Sequence, residues 1–264
     1  EIAGYRDALN KIHSDYSAID IELRQILLLH AMLLEHAQTP SRGVLKKEDN
    51  VIMANYPDGT RRIIYVPTPA AKTQKAMEQL ELAFYAGRQN SNINPLLLIP
   101  CYILDFLCIH PFTDGNGRIS RLLTLLLLYK SGYDVGKYVS LEYIINKNKG
   151  SYYQKLNESS ALWGENKNTY WPFIENFLLT LLSAYNELAN RYEIIKDKKL
   201  SKAERVAETI KNKLGTITKE EIHKMWPDIS YNTIELELSN LLKEDKIEKV
   251  GTTNGASYYW KAPR

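Results

Sequence analysis

Two almost unbroken apolar runs, Leu96–Ile109 and Leu122–Tyr129, flank a polar, glycine-rich segment. A helix that is apolar all round cannot lie on a surface, so each run predicts a helix buried in a core. Neither reaches the roughly 18 apolar residues that a membrane span needs. The second helix is expected over Arg118–Lys130 and is closed by Ser131-Gly132, a C-terminal cap signal. Between the runs the chain reads His110-Pro111-Phe112-Thr113-Asp114-Gly115-Asn116-Gly117-Arg118-Ile119-Ser120-Arg121. Gly115-Asn116-Gly117 therefore falls between the end of one buried helix and the start of the next.

The rest of the 264 residues divides around this centre. Hydrophobic residues are 44% and charged residues 25%, the balance of a globular chain with one large core, or a core plus a small module. A net charge of +3 is too small to argue for nucleic acid by itself. Residues 1–37 carry helical periodicity, with Ile19, Leu23, Ile26, Leu27, His30 and Leu34 near one face. Val51–Asn55 and Arg61–Val66 are β-prone and flank Tyr56-Pro57-Asp58-Gly59-Thr60, which predicts a hairpin. Helices are expected at 71–86, 140–163 and 170–196, followed by a charged linker at Lys196-Asp197-Lys198-Lys199.

Over 200–264 the pattern changes to three amphipathic segments, Lys202–Leu214, Thr218–Met225 and Ser230–Glu244. Two short strands follow, Ile247–Gly251 and Ser257–Lys261, joined by Thr252-Thr253-Asn254-Gly255. Three helices and a hairpin form the winged-helix order. The expected parts are thus 1–37, a core over 38–196, and a winged-helix module over 200–264. Cys101 and Cys108 lie two helical turns apart, about 10 Å along an axis, too far for a disulfide. With no leader-like start at Glu1–Asn10, a reducing cytoplasmic setting is expected.

The segment 110–121 carries the chemistry. Glycines at a helix start let the backbone approach a ligand, and the first amides of the helix point outward without intrahelical acceptors. That is an anion site suited to phosphate. Arg118 and Arg121 lie three apart and reach the same side. Asp114 is a carboxylate placed to hold a phosphate-bound Mg²⁺, and His110 is the side chain best suited to take a hydroxyl proton near neutral pH. A Walker A loop would need Gly-x-x-x-x-Gly-Lys-Ser/Thr, which is absent from this stretch.

This string resembles the Fic-family signature His-Pro-Phe-x-Asp-Gly-Asn-Gly-Arg-x-x-Arg at every fixed position. The resemblance implies a mainly α fold: a helical Fic core with a β-hairpin flap, followed here by a small winged-helix domain. It implies an enzyme that transfers AMP from ATP to a Ser, Thr or Tyr hydroxyl of a target protein. His110 would be the general base, and Asp114 would hold Mg²⁺ on the α- and β-phosphates. Gly115, Asn116 and Gly117 would form the anion hole, with Arg118 on the leaving pyrophosphate and Arg121 supporting it. Similar Doc-type proteins, which transfer phosphate, carry lysine where this chain has Gly117, which favours AMP transfer. The hairpin would hold the target by strand addition, with Ile63, Ile64 and Tyr65 beside nucleotide and substrate. Tyr152 and Tyr153 resemble the paired tyrosines of the family's adenine side, and equally read as core aromatics.

Many Fic proteins carry an inhibitory Ser/Thr-x-x-x-Glu-Gly/Asn motif whose Glu pairs with the second arginine. Ser183–Glu187, Thr216–Glu220 and Thr233–Glu237 have its spacing without the Gly or Asn. The motif is therefore expected upstream of this chain, and Arg121 is expected to be free of a protein partner. The third amphipathic segment carries Glu235 and Glu237, and 200–264 holds 11 Lys/Arg against 10 Asp/Glu. That argues against DNA as a partner and for a packing or protein-interaction role. Other transfers at the same site, AMP removal, and a DNA-binding regulator with a vestigial core are the rival readings; a homo-oligomer is left open, and no membrane partner is expected.

Overall fold

A computed structural model describes residues 2–37, 39–55, 59–197, 200–251 and 255–261. The Tyr56-Pro57-Asp58 turn, Thr252-Thr253-Asn254 and Lys198-Lys199 lie outside the described residues. The chain forms two compact units, Glu1–Tyr133 with Leu141–Leu181, and Asp134–Ser140 with Leu182–Arg264.

The first unit opens with α1 (Ile2–Asp15) and α2 (Leu23–Leu33). The single periodic pattern expected over 1–37 is two helices, because a 3₁₀ turn at Tyr16–Ala18 ends in extended Ile19 and extended Glu22 starts the next helix. Strands β1 (Ile52–Asn55) and β2 (Arg61–Tyr65) pair antiparallel, with Met53 opposite Ile63 and a register shift at Ile52/Met53. Next come α3 (Ala70–Gln89), α4 (Pro95–Ile109) and α5 (Asn116–Lys130). Asn94 caps α4, its side chain accepting from Leu96 N–H, and Pro95 takes the first helical position. At the far end of α5, Gly132 (φ +84) follows the cap residue Ser131. Its N–H bonds the Tyr129 carbonyl while Tyr133 N–H bonds that of Leu128, which closes the helix as the sequence anticipates.

Helices α4 and α5 pack on each other and form the middle of this unit, with α3 and α7 (Lys149–Ser160) against α4, and α1 and α2 against α5. Leu104, Phe106, Leu122, Leu123 and Leu126 are fully buried there. A side chain of that kind contributes about 1.5–3 kcal/mol on burial. The helix expected over 140–163 is α6 (Leu141–Lys147) and α7, separated at Asn148. Helix α8 (Trp171–Asp197) starts in the first unit and ends in the second.

The second unit adds α9 (Lys202–Asn212), β3 (Ile217–Thr218), α10 (Lys219–Met225), α11 (Tyr231–Lys243), β4 (Ile247–Val250) and β5 (Ser257–Trp260). Capping boxes at Ser201/Glu204 and Thr218/Glu221 start α9 and α10. The strand β3, absent from the sequence expectation, pairs with β5 to give the order β3-β5-β4. Val206, Ile210, Ile222, Ile234 and Leu238 form its core around Trp226, whose indole N–H donates to Thr209 Oγ1 at 2.9 Å. Among the described residues no helix is long and apolar enough to cross a membrane.

Because α5 carries the motif on its first turn, its packing is the support of the site. Leu123→Ala should destabilise the chain by about 2–5 kcal/mol, the cost of a cavity where the helices meet. Urea unfolding checks this, and a loss below about 1 kcal/mol would contradict the packing described.

Candidate active site

The first hold on the loop 110–117 is a side chain of its own. Asn116, buried at the start of α5, accepts the Phe112 N–H with Oδ1 at 2.9 Å and donates Nδ2–H to the Phe112 carbonyl at 2.7 Å. Its amide reads a backbone as a base pair reads an edge, so the turn has one register. Gly115 precedes it with φ +86, a conformation that L side chains rarely adopt. A Cβ there would stand 3.0 Å from Leu33 and 3.3 Å from the His30 ring.

His30 is the residue that sequence reasoning undervalued. It is fully buried in α2, stacked on Phe112 at 3.8 Å with the rings 5° apart. Gly43 N–H donates to its Nδ1 at 3.0 Å, so Nε2 carries the proton and donates to the Asp114 carbonyl, also at 3.0 Å. Burial holds its pKa below the usual value, which keeps this neutral tautomer. A lone histidine inside the run Leu27–Leu34 was the only available signal, and it reads equally well as packing.

The loop's outer face has the features of an anion cradle. The first bonds of α5 run from Arg118 and Ile119 N–H to the Gly115 carbonyl, so the amides of Asn116 and Gly117 precede the intrahelical ladder. The space at Gly117 is open: a Cβ would meet only the Arg121 guanidinium, at 3.9 Å. Asp114 Oδ1 accepts the Gly115 N–H at 2.6 Å, and Oδ2 accepts from Arg118 at 2.8 Å. Its carboxylate is well exposed. Among the described residues no three His, Cys, Asp or Glu side chains converge to cage a metal. A single exposed carboxylate beside a phosphate cradle fits Mg²⁺, which keeps several waters and takes substrate phosphates as ligands.

His110 terminates α4 in the left-handed region, φ 52 and ψ 63. Its Nδ1 lies 3.3 Å from the Leu107 carbonyl, which can only accept, so Nδ1 is protonated and Nε2 presents a lone pair. Burial pushes its pKa down to about 4, with the Lys46 cation adding to that and the Leu107 bond and Asp114 opposing it. The imidazole is therefore neutral throughout the physiological range.

The other expected residues are placed unevenly. Arg121 is not free: its Nε lies 3.1 Å from Glu142 Oε1 in α6, a contact whose N–H alignment falls short of a hydrogen bond. Tyr5 joins the same pair from α1. The expectation of an unpartnered Arg121 is overturned because α6 brings a carboxylate that no inhibitory pattern predicts. Arg121, Glu142, Asn146, Lys149, Tyr152 and Tyr153 line a pocket of ≈ 110 Å³. Tyr152 is buried, edge-on to Tyr153 and to Phe173, while Tyr153 is half exposed under Lys149. On the hairpin, Ile63 and Ile64 are exposed, and the Tyr65 hydroxyl bonds to the Cys108 thiol of α4. Burial holds that thiol near 12, far from a reactive thiolate.

Residues 20–128 match the family model described as "Fic/DOC family". Curated relatives include "Protein adenylyltransferase Fic" of Drosophila sechellia and of Drosophila melanogaster, each 29% identical over 134 residues, covering 50% of this chain and 25% of theirs. The chain thus spans about a quarter of the length of the curated relatives it matches. Among solved structures, a Fic family protein from Desulfovibrio desulfuricans G20 superposes with a TM-score of 0.55 at 20% identity, over 98% of this chain and 74% of that one. A Fic domain containing signaling protein from Bacteroides thetaiotaomicron VPI-5482 gives 0.53 at 20% identity, over 68% and 67%. At such identity the likeness is one of fold.

Two outcomes follow from the site's construction. Gly115→Ala should cost about 1–3 kcal/mol and misplace the helix start, read as a lowered melting temperature. The second concerns pH. His110 is held below its ordinary 6.5, so its neutral form contributes stability above 6.5 that is lost as pH falls toward 4. His30 acts in the same direction. Urea midpoints measured across that window should fall less steeply for His110→Asn than for the parent chain; identical slopes would contradict the buried neutral state.

Proposed function

We propose, from the premise that residues 20–128 form a Fic/DOC family domain, that this chain transfers AMP from ATP to a Ser, Thr or Tyr hydroxyl of a target protein. The observation that carries the reading is a neutral, tautomer-fixed His110 joined by a latched loop to an amide-lined helix start with two arginines. In this mechanism His110 Nε2 takes the proton of the target hydroxyl. The oxygen attacks the α-phosphorus of ATP, the bond to the β-phosphate bridging oxygen breaks, and pyrophosphate leaves. The amides at Asn116 and Gly117 and the Arg118 guanidinium stabilise charge that develops on the phosphates, while the Gly115 N–H, expected to join them, is held by Asp114 Oδ1. Asp114 is the side chain that would hold Mg²⁺, which supplies neutralisation of phosphate charge when bound. Open space at Gly117 supports AMP transfer over phosphate transfer, since a long side chain there would occupy the cradle.

The hairpin's exposed Ile63 and Ile64 support docking of the target as an added strand, and the Tyr152/Tyr153 pocket beside Arg121 supports an adenine position. The helices α9, α10 and α11 with the sheet β3-β5-β4 support reading the last 65 residues as a winged helix in a protein-interaction role. On α11, Glu235 already pairs with Lys219 at 2.5 Å, and an acidic recognition helix would repel a phosphate backbone. A cytoplasmic setting fits the two free cysteines.

Incubation with α-labelled and γ-labelled ATP tests the reading: the α-label alone should remain on protein. His110→Ala should abolish labelling with ATP affinity nearly unchanged, whereas Arg118→Ala should lose about 1.5–3 kcal/mol of binding. Glu142→Gln releases Arg121 and should tighten ATP binding by about twofold to fivefold, the scale of a partly exposed ion pair. Retention of γ-label on protein would replace AMP transfer by phosphate transfer.

A further inference from the structure

Lys46 is a buried cation placed on both sides of one residue. Its backbone N–H donates to the Pro111 carbonyl at 2.9 Å, and its Nζ donates to the Ile109 carbonyl at 3.2 Å. The residue between those carbonyls is His110. The lysine is 4% exposed, and its other side-chain acceptor is Asn50 Oδ1 at 2.9 Å, a second neutral oxygen. Asn50 continues the strap by donating Nδ2–H to the Phe112 carbonyl at 3.3 Å. Lys46 and Asn50 thus hold the carbonyls of Ile109, Pro111 and Phe112, one before the histidine and two after it.

Two costs in this arrangement need an explanation. A left-handed backbone at a non-glycine residue persists only where its surroundings over-determine it. An ammonium buried on neutral acceptors is also unfavourable, and methionine or leucine would fill the volume without that penalty. The negative end of α4 offsets part of it, since Ile109 is the last residue of that helix. The charged groups facing His110 are Lys46 from the strap and Asp114 from the loop, acting in opposite directions; Asp49 is the charge facing Lys46.

We propose that Lys46 is a positioning residue for the transfer reaction: it locks His110 into its left-handed turn and, as a buried cation, adds to the bias that burial gives the imidazole toward its proton-accepting form. The inference rests on the reading of His110 as the base. Burial brings the lysine itself down to about 8, so its charge is lost in mildly alkaline solution.

The test is histidine-ring NMR on the full chain and on Lys46→Met and Lys46→Arg, with steady-state kinetics beside it. Lys46→Met should raise the His110 midpoint by about half a pH unit or more, and Lys46→Arg should leave it near the parent value. In the parent chain the His110 resonances should shift a second time near pH 8, as Lys46 deprotonates, and Lys46→Met should abolish that step. For the reaction, Lys46→Met should lower kcat about tenfold or more with the KM for ATP within about twofold. An equal His110 midpoint in parent and folded Lys46→Met, with no step near pH 8, overturns the inference. If Lys46→Met fails to fold, the parent's second step decides alone. If the NMR shifts occur while no variant labels protein, the reading of AMP transfer fails and the coupling of Lys46 to His110 stands.

Discussion

The pair of hydrogen bonds between the Asn116 amide and the Phe112 backbone is the interaction on which the rest of the site depends. It closes the six-residue loop His110–Gly115 between α4 and α5, and it does so with a side chain that is itself buried. A buried amide leaves no tolerance for a wrong register, because an unmade bond would cost about 1–3 kcal/mol. His30 holds the same loop by stacking on Phe112 and bonding the Asp114 carbonyl, and the strap at Lys46 holds its beginning. Helix packing alone would fix the axes of α4 and α5 and leave the loop between them free; these side chains remove that freedom.

A loop fixed in this way separates two electrostatic conditions over a short stretch of chain. At its start the histidine is kept neutral by burial and a nearby cation, which suits it to accept a proton. At its end the helix amides and two arginines favour negative charge. Proton acceptance and phosphate binding need opposite environments, and the six-residue loop provides one at each end. In this structure Asp114 and Glu142 occupy the two arginines, so a polyphosphate bound as proposed would exchange those pairings for its own.

The centre of the fold was legible in the sequence because the apolar runs and the glycine signals are local. The burial of α4 and α5, the Gly132 cap and the hairpin all follow from neighbouring residues. Helix continuity was less legible: breaks at Ile19–Glu22 and at Asn148 leave little mark on a hydrophobic pattern. What the sequence concealed is contact across long separations. His30 reaches Asp114 over 84 positions and Lys46 reaches Ile109 over 63. A lone histidine in an apolar run and one of two adjacent lysines in a polar stretch carry no local sign of such partners. Glu142 is concealed in the same way, since only the placing of α6 brings it to Arg121.

The central claim is that the start of α5 is a phosphate site with His110 as its base, and a crystal structure with a non-hydrolysable ATP analogue and Mg²⁺ tests it most directly. The account predicts phosphate oxygens at about 2.7–3.1 Å from the amides of Asn116 and Gly117, Arg118 turned from Asp114 onto phosphate, and the α-phosphorus on the side of His110 Nε2. Nucleotide bound elsewhere, or bound here with the α-phosphorus turned away from His110 Nε2, would contradict it.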